Sequence, residues 1–384
     1  MQRLPGSVLA AAAVFATISL VAVFLVGPAR RPATESPEIE VTTNGCGTDW
    51  AGLSAGTHTF QLHNVGSRPQ QVQLVDVPGG RVYGEVETLG PGAEATMDVR
   101  MAAGSYALRC VPDDAPTVTG PPATVAGAGT GGPASVAMTR DDLLGPARDY
   151  QVYVARRIDE LVTETDTVVA AIDTGNLDAA RKAWLPAHLT YHRIGAAYRA
   201  FGALASDIDG KPDGLAAGTH DPQFAGFRRL EYGLWHAEPA ATLRTVADRL
   251  ATAVRSLRRA APGIQIDPGD LGVRAHEILE DTLRFELTGD HDFGSGTTLA
   301  TALADVEGTG EVLSVLEPVL RPRYPGLDDT MAWLDRVRTL LATHQTTPLA
   351  GLDRAARQRI DGSIGELLER LAPVAAICAP RGVS

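Results

Sequence analysis

Two periods divide the chain. From 38 to about 127 the apolar residues come in short runs, at 57–63, 70–77, 81–88, 94–101 and 105–110. Several runs alternate, as where Val72 and Leu74 are separated by Gln71 and Gln73. Ala55-Gly56, Gly66-Ser67, Pro78-Gly79-Gly80, Gly90-Pro91-Gly92 and Gly104 interrupt them. Short strands at regular spacing between Gly/Pro turns predict a small all-β sandwich over 38–127. The stretch 118–135 carries no charge and is rich in Gly, Pro, Ala and Thr, which predicts a flexible linker at 128–138.

From 139 to 381 the spacing turns helical. Val154, Ile158, Leu161, Val162, Val168, Val169 and Ile172 recur at threes and fours until Thr174-Gly175-Asn176 breaks the pattern. A second helix is expected over 177–201, and later ones over 241–260, 271–287, 297–320, 328–343 and 352–377. Ile360, Ile364, Leu367, Leu368 and Leu371 form one face of the last. This pattern predicts an all-α helical bundle. Between 202 and 226 lies a Gly/Asp/Pro-rich connection, and a loop of that length in a bundle is usually functional or poorly ordered.

The start of the chain reads differently. Arg3 and Arg30 enclose 26 uncharged residues, and 8–26 is apolar apart from Thr17 and Ser19. That run is near the ~20 residues a membrane helix needs and exceeds the ~7–15 of a secretory signal. An N-terminal membrane helix at 1–30, an uncleaved signal-anchor, is therefore expected over a cleaved signal peptide. Arg30 and Arg31 follow the span as Arg3 precedes it, so charge leaves its orientation open. The expected location is the extracytoplasmic face of the cell membrane, or secretion if the segment is removed.

Charge narrows the partners. Lys and Arg number 34 against 46 Asp and Glu, a net charge of −12. A nucleic-acid binder would carry a basic stripe, and none is present; an acidic body suits capture of cations. Three cysteines, Cys46, Cys110 and Cys378, make neither a disulfide framework nor a CxxC zinc site.

Candidate chemistry lies in the helical part. His188 and His192 are four apart, so both imidazoles can reach one metal; a pair of surface or core-edge histidines is the plainer account. Asp207 and Asp209 follow in the connection, with Asp213 nearby. They suit a hard cation or, more plainly, turns and caps. In the run from Gly226 to His236, Arg228 and Glu231 lie one turn apart. The plain account is an intrahelical ion pair, and the sharper one turns Glu231 inward as a ligand. His276 and Glu280 repeat the four-residue spacing on another helix. Glu and His spread over facing helices are how bundles build metal sites, and such ligands without cysteine fit iron, zinc or manganese rather than Cu(I).

The motifs Trp184…His188-Leu-Thr-Tyr-His192-Arg-Ile-Gly, Ser206-Asp-Ile-Asp209-Gly, Asp221-Pro-Gln-Phe-Ala-Gly-Phe227-Arg-Arg-Leu-Glu231-Tyr-Gly-Leu-Trp235 and Ala275-His-Glu-Ile-Leu-Glu280 resemble the imelysin-like family, whose wider membership carries an insulin-cleaving protease name. Within it they resemble EfeO-type components of ferrous-iron uptake, over roughly 145–380. The resemblance implies that the sandwich is a cupredoxin-like module. It also implies an extracytoplasmic protein that binds iron, with zinc or copper as alternatives, and presents it to an iron permease beside a peroxidase-type partner. The family's HxxE motif implies metal binding at Glu231, which joins His192, His276, Glu280, Asp209 and His188 as the candidate metal ligands.

One departure matters. The family's HxxE histidine is Arg228 here, while His192 stands where an acid is usual. Either His192 supplies the lost imidazole, or Arg228 fills the site and abolishes metal binding, since a guanidinium does not become a ligand. Two alternatives to an ion carrier stay open: a metal-dependent peptidase and a metal-free scaffold. The zincin HExxH is absent, because Glu280 stands where its second His belongs, and no Gly-x-Ser-x-Gly elbow occurs. Turnover is thus not expected.

In the sandwich, Asn64-Val65-Gly66 resembles a cupredoxin turn, but Val111-Pro112-Asp113-Asp114-Ala115 after Cys110 offers no His or Met. No blue-copper site is expected. Cys46 and Cys110 suit a disulfide in an exported domain, or else a thiolate site with Asp113, Asp114 or Glu85. Cys378 is expected as a lone buried thiol.

Overall fold

The computed structural model describes residues 38–379 apart from 49 and 51; the expected span at 1–30 lies outside them. Among the described residues no helix is long and apolar enough to cross a membrane. The chain divides into two compact units at Ala134 and Ser135.

The first unit is sandwich-like. The alternating runs become β2 (Gly56–Asn64), β3 (Gln70–Asp76), β4 (Arg81–Leu89), β5 (Glu94–Met101) and β6 (Gly104–Pro112), with short β1 (Glu38–Val41), β7 (Val118–Thr119) and β8 (Ala123–Val125). One sheet is ordered β1-β2-β5. The other runs through β7, β6, β3 and β4, with β8 also paired to β6. The strand period of two decides what is buried. His58, Phe60, Leu62 and Asn64 of β2 point inward, opposite Met97, Val99 and Met101 of β5. Val72, Leu74 and Leu108 of the other sheet complete the core. Cys46 and Cys110 are joined by a disulfide across 64 residues of sequence. Asn64 closes the β2–β3 turn: its side chain donates to the Arg68 and Leu89 carbonyls and accepts from Gly66 N–H and Gln70 Nε2.

The second unit is helical. Among the described residues its ten α-helices are α1 (Arg140–Asp173), α2 (Leu177–His192), α3 (Tyr198–Phe201), α4 (Ala203–Asp209), α5 (Gly226–Trp235), α6 (Ala240–Ala260), α7 (Asp270–Asp281), α8 (Thr298–Leu320), α9 (Leu327–His344) and α10 (Arg354–Ile377). Thr139 starts α1 with a capping box, exchanging hydrogen bonds with Asp142. The face predicted from Val154 to Ile172 is buried, and α1 packs on α2, α6 and α8. The most apolar helix, α8, lies against α1, α2, α7 and α9 and buries residues on nearly every side, as expected of a helix apolar all round.

Three boundaries differ from the sequence pattern, and all three bear on the site. The helix expected over 177–201 stops at His192 and continues through a 3-10 turn, Gly195–Ala197. The connection expected as a loop over 202–226 contains α4, because Ala203-Leu204-Ala205 favour helix and Ile208 is fully buried. The single helix expected over 271–287 loosens at Thr282 into a π-helix, Thr282–Glu286, a device often found at functional sites.

Candidate metal centre

Trp184, His188, Tyr191 and His192 lie on the buried face of α2. The Trp184 ring stacks on His188 at 4.6 Å, and its indole N–H donates to the Phe227 carbonyl, tying α2 to α5. One turn on, His192 Nε2 lies 3.0 Å from His188 Nε2. Two facing nitrogen lone pairs repel, so this contact requires a proton or a cation between them.

Asp209, the last residue of α4, completes a triangle. Its Oδ1 is 3.6 Å from His188 Nε2 and its Oδ2 is 3.7 Å from His192 Nε2. Among the described residues, these three form the one set of three or more His, Cys, Asp or Glu whose ligand atoms all lie within 4.8 Å of one another. Gly226 allows this arrangement. Its φ is +83°, and a Cβ there would lie 2.2 Å from the Ile208 carbonyl oxygen. The start of α5 thus rests directly on the end of α4.

That close approach also delivers Arg228, which is 2 % exposed. Its Nε donates to Asp209 Oδ2 at 3.1 Å, its Nη1 to the His291 carbonyl at 2.9 Å, and its Nη2 to Glu286 Oε1 at 2.7 Å. The π-helix sets Glu286 for that bond, and His291 Nδ1 lies 3.3 Å from the same Glu286 oxygen. The plain expectation of an intrahelical Arg228–Glu231 pair is therefore corrected: the guanidinium spends its donors on Asp209, Glu286 and a carbonyl.

On α8, Asp305 Oδ1 lies 2.8 Å from His192 Nδ1, and its Oδ2 accepts from Thr282 Oγ1 at 2.8 Å. Gly308, one turn along, makes room for this: a Cβ there would lie 2.7 Å from the Arg193 carbonyl oxygen. A carboxylate on the far nitrogen fixes which imidazole nitrogen faces the triangle.

The electrostatics follow from burial and these pairings. Burial, then the neighbouring His192, pushes His188 down to about 4, so it is a neutral imidazole at pH 7. Burial also opposes charge on His192, but Asp305 and Asp209 outweigh it and raise its pKa. Asp209 is buried too, yet Arg228 and then His188 and His192 hold it well below the usual carboxylate range. Glu286 is depressed likewise against its burial, by Arg228 and His291.

The remaining expected ligands lie elsewhere. Glu231 is buried, and its Oε1 accepts from Phe293 N–H at 3.0 Å, Ser295 N–H at 3.1 Å and Ser295 Oγ at 2.6 Å. It holds the loop ahead of α8, and burial, outweighing the Ser295 hydrogen bonds, pushes it up to about 7. His276 and Glu280 sit 3.9 Å apart with side chains 28 % and 44 % exposed. They are off the buried face of α7, which is Leu271, Ala275, Ile278 and Leu279, so α7 does not bring them to the triangle. Asp207 is half-buried and lies 3.4 Å from Arg249.

Asp305, Glu286, His291 and Thr282 were not singled out from sequence. Asp305 carries a signal, being an acid among Ala302, Leu303, Ala304 and Val306. Glu286 and His291 carry none, because a π turn shifts the register on which helical spacing relies. His192, Asp209, Asp305, Glu286 and Arg228 all line an open cavity of about 350 Å³; His188 is not part of its wall.

A sequence model of the imelysin family matches residues 146–374. The chain is also similar to proteins named iron uptake system component EfeO. The one from Yersinia pseudotuberculosis serotype I is 27% identical over 347 residues, covering 88% of this chain and 91% of the relative. The one from Escherichia coli O1:K1 is 27% identical over 354 residues with the same coverage.

Proposed function

This chain belongs to the imelysin family, and on that premise we propose that it is an iron-binding component of an iron uptake system. It holds the ion at His188, His192 and Asp209 and presents it to a permease partner. The names of its relatives support the uptake role. The observation that carries the binding site is the convergence of the two imidazoles, 3.0 Å apart, on the Asp209 carboxylate, whose two oxygens lie 3.6 Å from His188 and 3.7 Å from His192. Ligand atoms at about 2.0–2.2 Å from a shared metal stand roughly 3–3.5 Å apart, so these side chains need little movement to close on one ion. Two imidazoles and a carboxylate, with positions left open, suit ferrous iron and also zinc.

The donor set fits a cation in other respects. His188 is neutral with its nitrogen facing inward, Asp209 Oδ1 is buried without a hydrogen-bond partner, and Asp305 orients His192 from behind. In this reading His192 supplies the imidazole lost at 228. Arg228 is then a charge balance: one guanidinium against the carboxylates of Asp209, Glu286 and Asp305 leaves the immediate surroundings of the triangle negative. One observation favours the rival scaffold reading, in which Arg228 is a permanent substitute cation. Its Nε already occupies Asp209 Oδ2.

The setting is also proposed. The Cys46–Cys110 disulfide suits an oxidising compartment, the apolar segment at 1–30 would tether the chain to the membrane, and the sandwich-like unit is read as the cupredoxin-like module of such systems, with a peroxidase-type partner. Anaerobic Fe²⁺ titration of the full chain tests the central point. One saturable site per chain, absent in His192→Ala, is expected; no saturable uptake, or uptake unchanged in that variant, overturns it.

A further inference from the structure

Resting on that reading of the site, we infer that the cargo is not a bare ion but a small polycarboxylate chelate of the metal, seated in the cavity against His192 and Asp209, the two members of the triangle that line its wall. Size is the first argument. About 350 Å³ lies in the range of small-molecule sites and has room for roughly ten waters, far more than one ion needs.

Charge is the second. A pocket shaped only to concentrate free cations would be lined by acids. Here Asp209, Glu286, Asp305 and Asp281 share the wall with Arg228, Arg274 and Lys211. Lys211 is exposed, with its ammonium 5.0 Å from the Phe285 ring centroid. Arg274 has a side chain 12 % exposed. Such a wall repels a bare divalent ion at some positions and holds carboxylates at the same ones.

Unsatisfied groups are the third. Tyr191 lines the cavity, is 1 % exposed, and its hydroxyl has no hydrogen-bond partner. Arg274 donates from its two terminal nitrogens to Glu277 and the Gly195 carbonyl, yet its Nε is also buried without a partner. Buried polar groups are normally paired. The Arg274 N–H cannot be satisfied by a cation, and it and the Tyr191 hydroxyl, as donors, suit the oxygens of a carboxylate; the orphan acceptor, Asp209 Oδ1, suits the metal the chelate carries. Nothing in this assignment requires a bond to break: binding exchanges water and the proton between the imidazoles for the metal.

Anaerobic calorimetry on the full chain tests it with three probes: Fe²⁺ alone, citrate alone and Fe²⁺–citrate. The expected result is that Fe²⁺–citrate binds at least tenfold more tightly than either other probe. Tyr191→Phe, which removes only an unpaired hydroxyl, should fold as the parent does, and Lys211→Ala alters an exposed side chain. Each should weaken Fe²⁺–citrate about tenfold and leave Fe²⁺ binding within twofold. Fe²⁺ binding that citrate merely strips away, or variants that bind Fe²⁺–citrate like the parent, overturns the chelate while leaving the metal site standing. If no iron probe binds, the metal site itself falls, and the chelate with it.

Discussion

His192 Nδ1 and Asp305 Oδ1 lie 2.8 Å apart, between helices more than a hundred residues distant in sequence. The contact fixes the ring and turns Nε2 toward His188 and Asp209. Asp305→Asn should preserve the fold but lower Fe²⁺ affinity about 10–100-fold, the usual effect of losing a ligand's outer partner. Titration beside a circular dichroism spectrum checks this; unchanged affinity would show that the pair is structural only.

Arg228 is a buried cation between two buried carboxylates. Arg228→Met leaves Asp209 and Glu286 uncompensated and should cost about 3–5 kcal/mol in urea denaturation. The double variant Arg228→Met with Glu286→Gln should recover part of that loss, because one stranded charge is gone. Equal stability of the single and double variants argues against the pairing.

The pKa of Glu231 stands at about 7 in the folded chain, against the ordinary 4.5. Below 4.5 folded and unfolded chains both keep the proton. Between 4.5 and 7 only the folded chain does, so this group's contribution to stability falls as pH rises through that window. The span of 2.5 pH units corresponds to about 3 kcal/mol. Parent and Glu231→Gln should therefore diverge, the parent losing stability relative to the variant from pH 4.5 to 7. A constant difference across those pH values contradicts the burial argument.

The disulfide closes a long loop. Replacing Cys46 with Ser should destabilise the sandwich-like unit by about 4 kcal/mol on the chain-entropy model, while the helical unit melts as before. A single shared transition, shifted as a whole, would show instead that the two units unfold together.

Much of this was legible in the chain because periodicity reports burial. The strands around Phe60, Leu74 and Leu108 and the face of α1 follow from alternation and three-four spacing, as does the facing pair His188 and His192. What spacing could not give was which helices meet. Asp209 reaches the histidines only because Gly226 lets α5 press on α4. Asp305 reaches His192 because Gly308 lets α8 approach the end of α2. Glu231 reads as a ligand by motif, yet three donors from the loop at 293–295 claim it. The guanidinium of Arg228 finds its partners across the π turn rather than one turn along its own helix.

The most direct test is an anomalous-scattering map from a crystal soaked in iron. The expected result is one strong peak about 2.0–2.3 Å from His188 Nε2, His192 Nε2 and a carboxylate oxygen of Asp209, with Arg228 withdrawn from that oxygen and still on Glu286. A map with no peak there, or with its peak at Glu231 or at His276 and Glu280, contradicts the assignment.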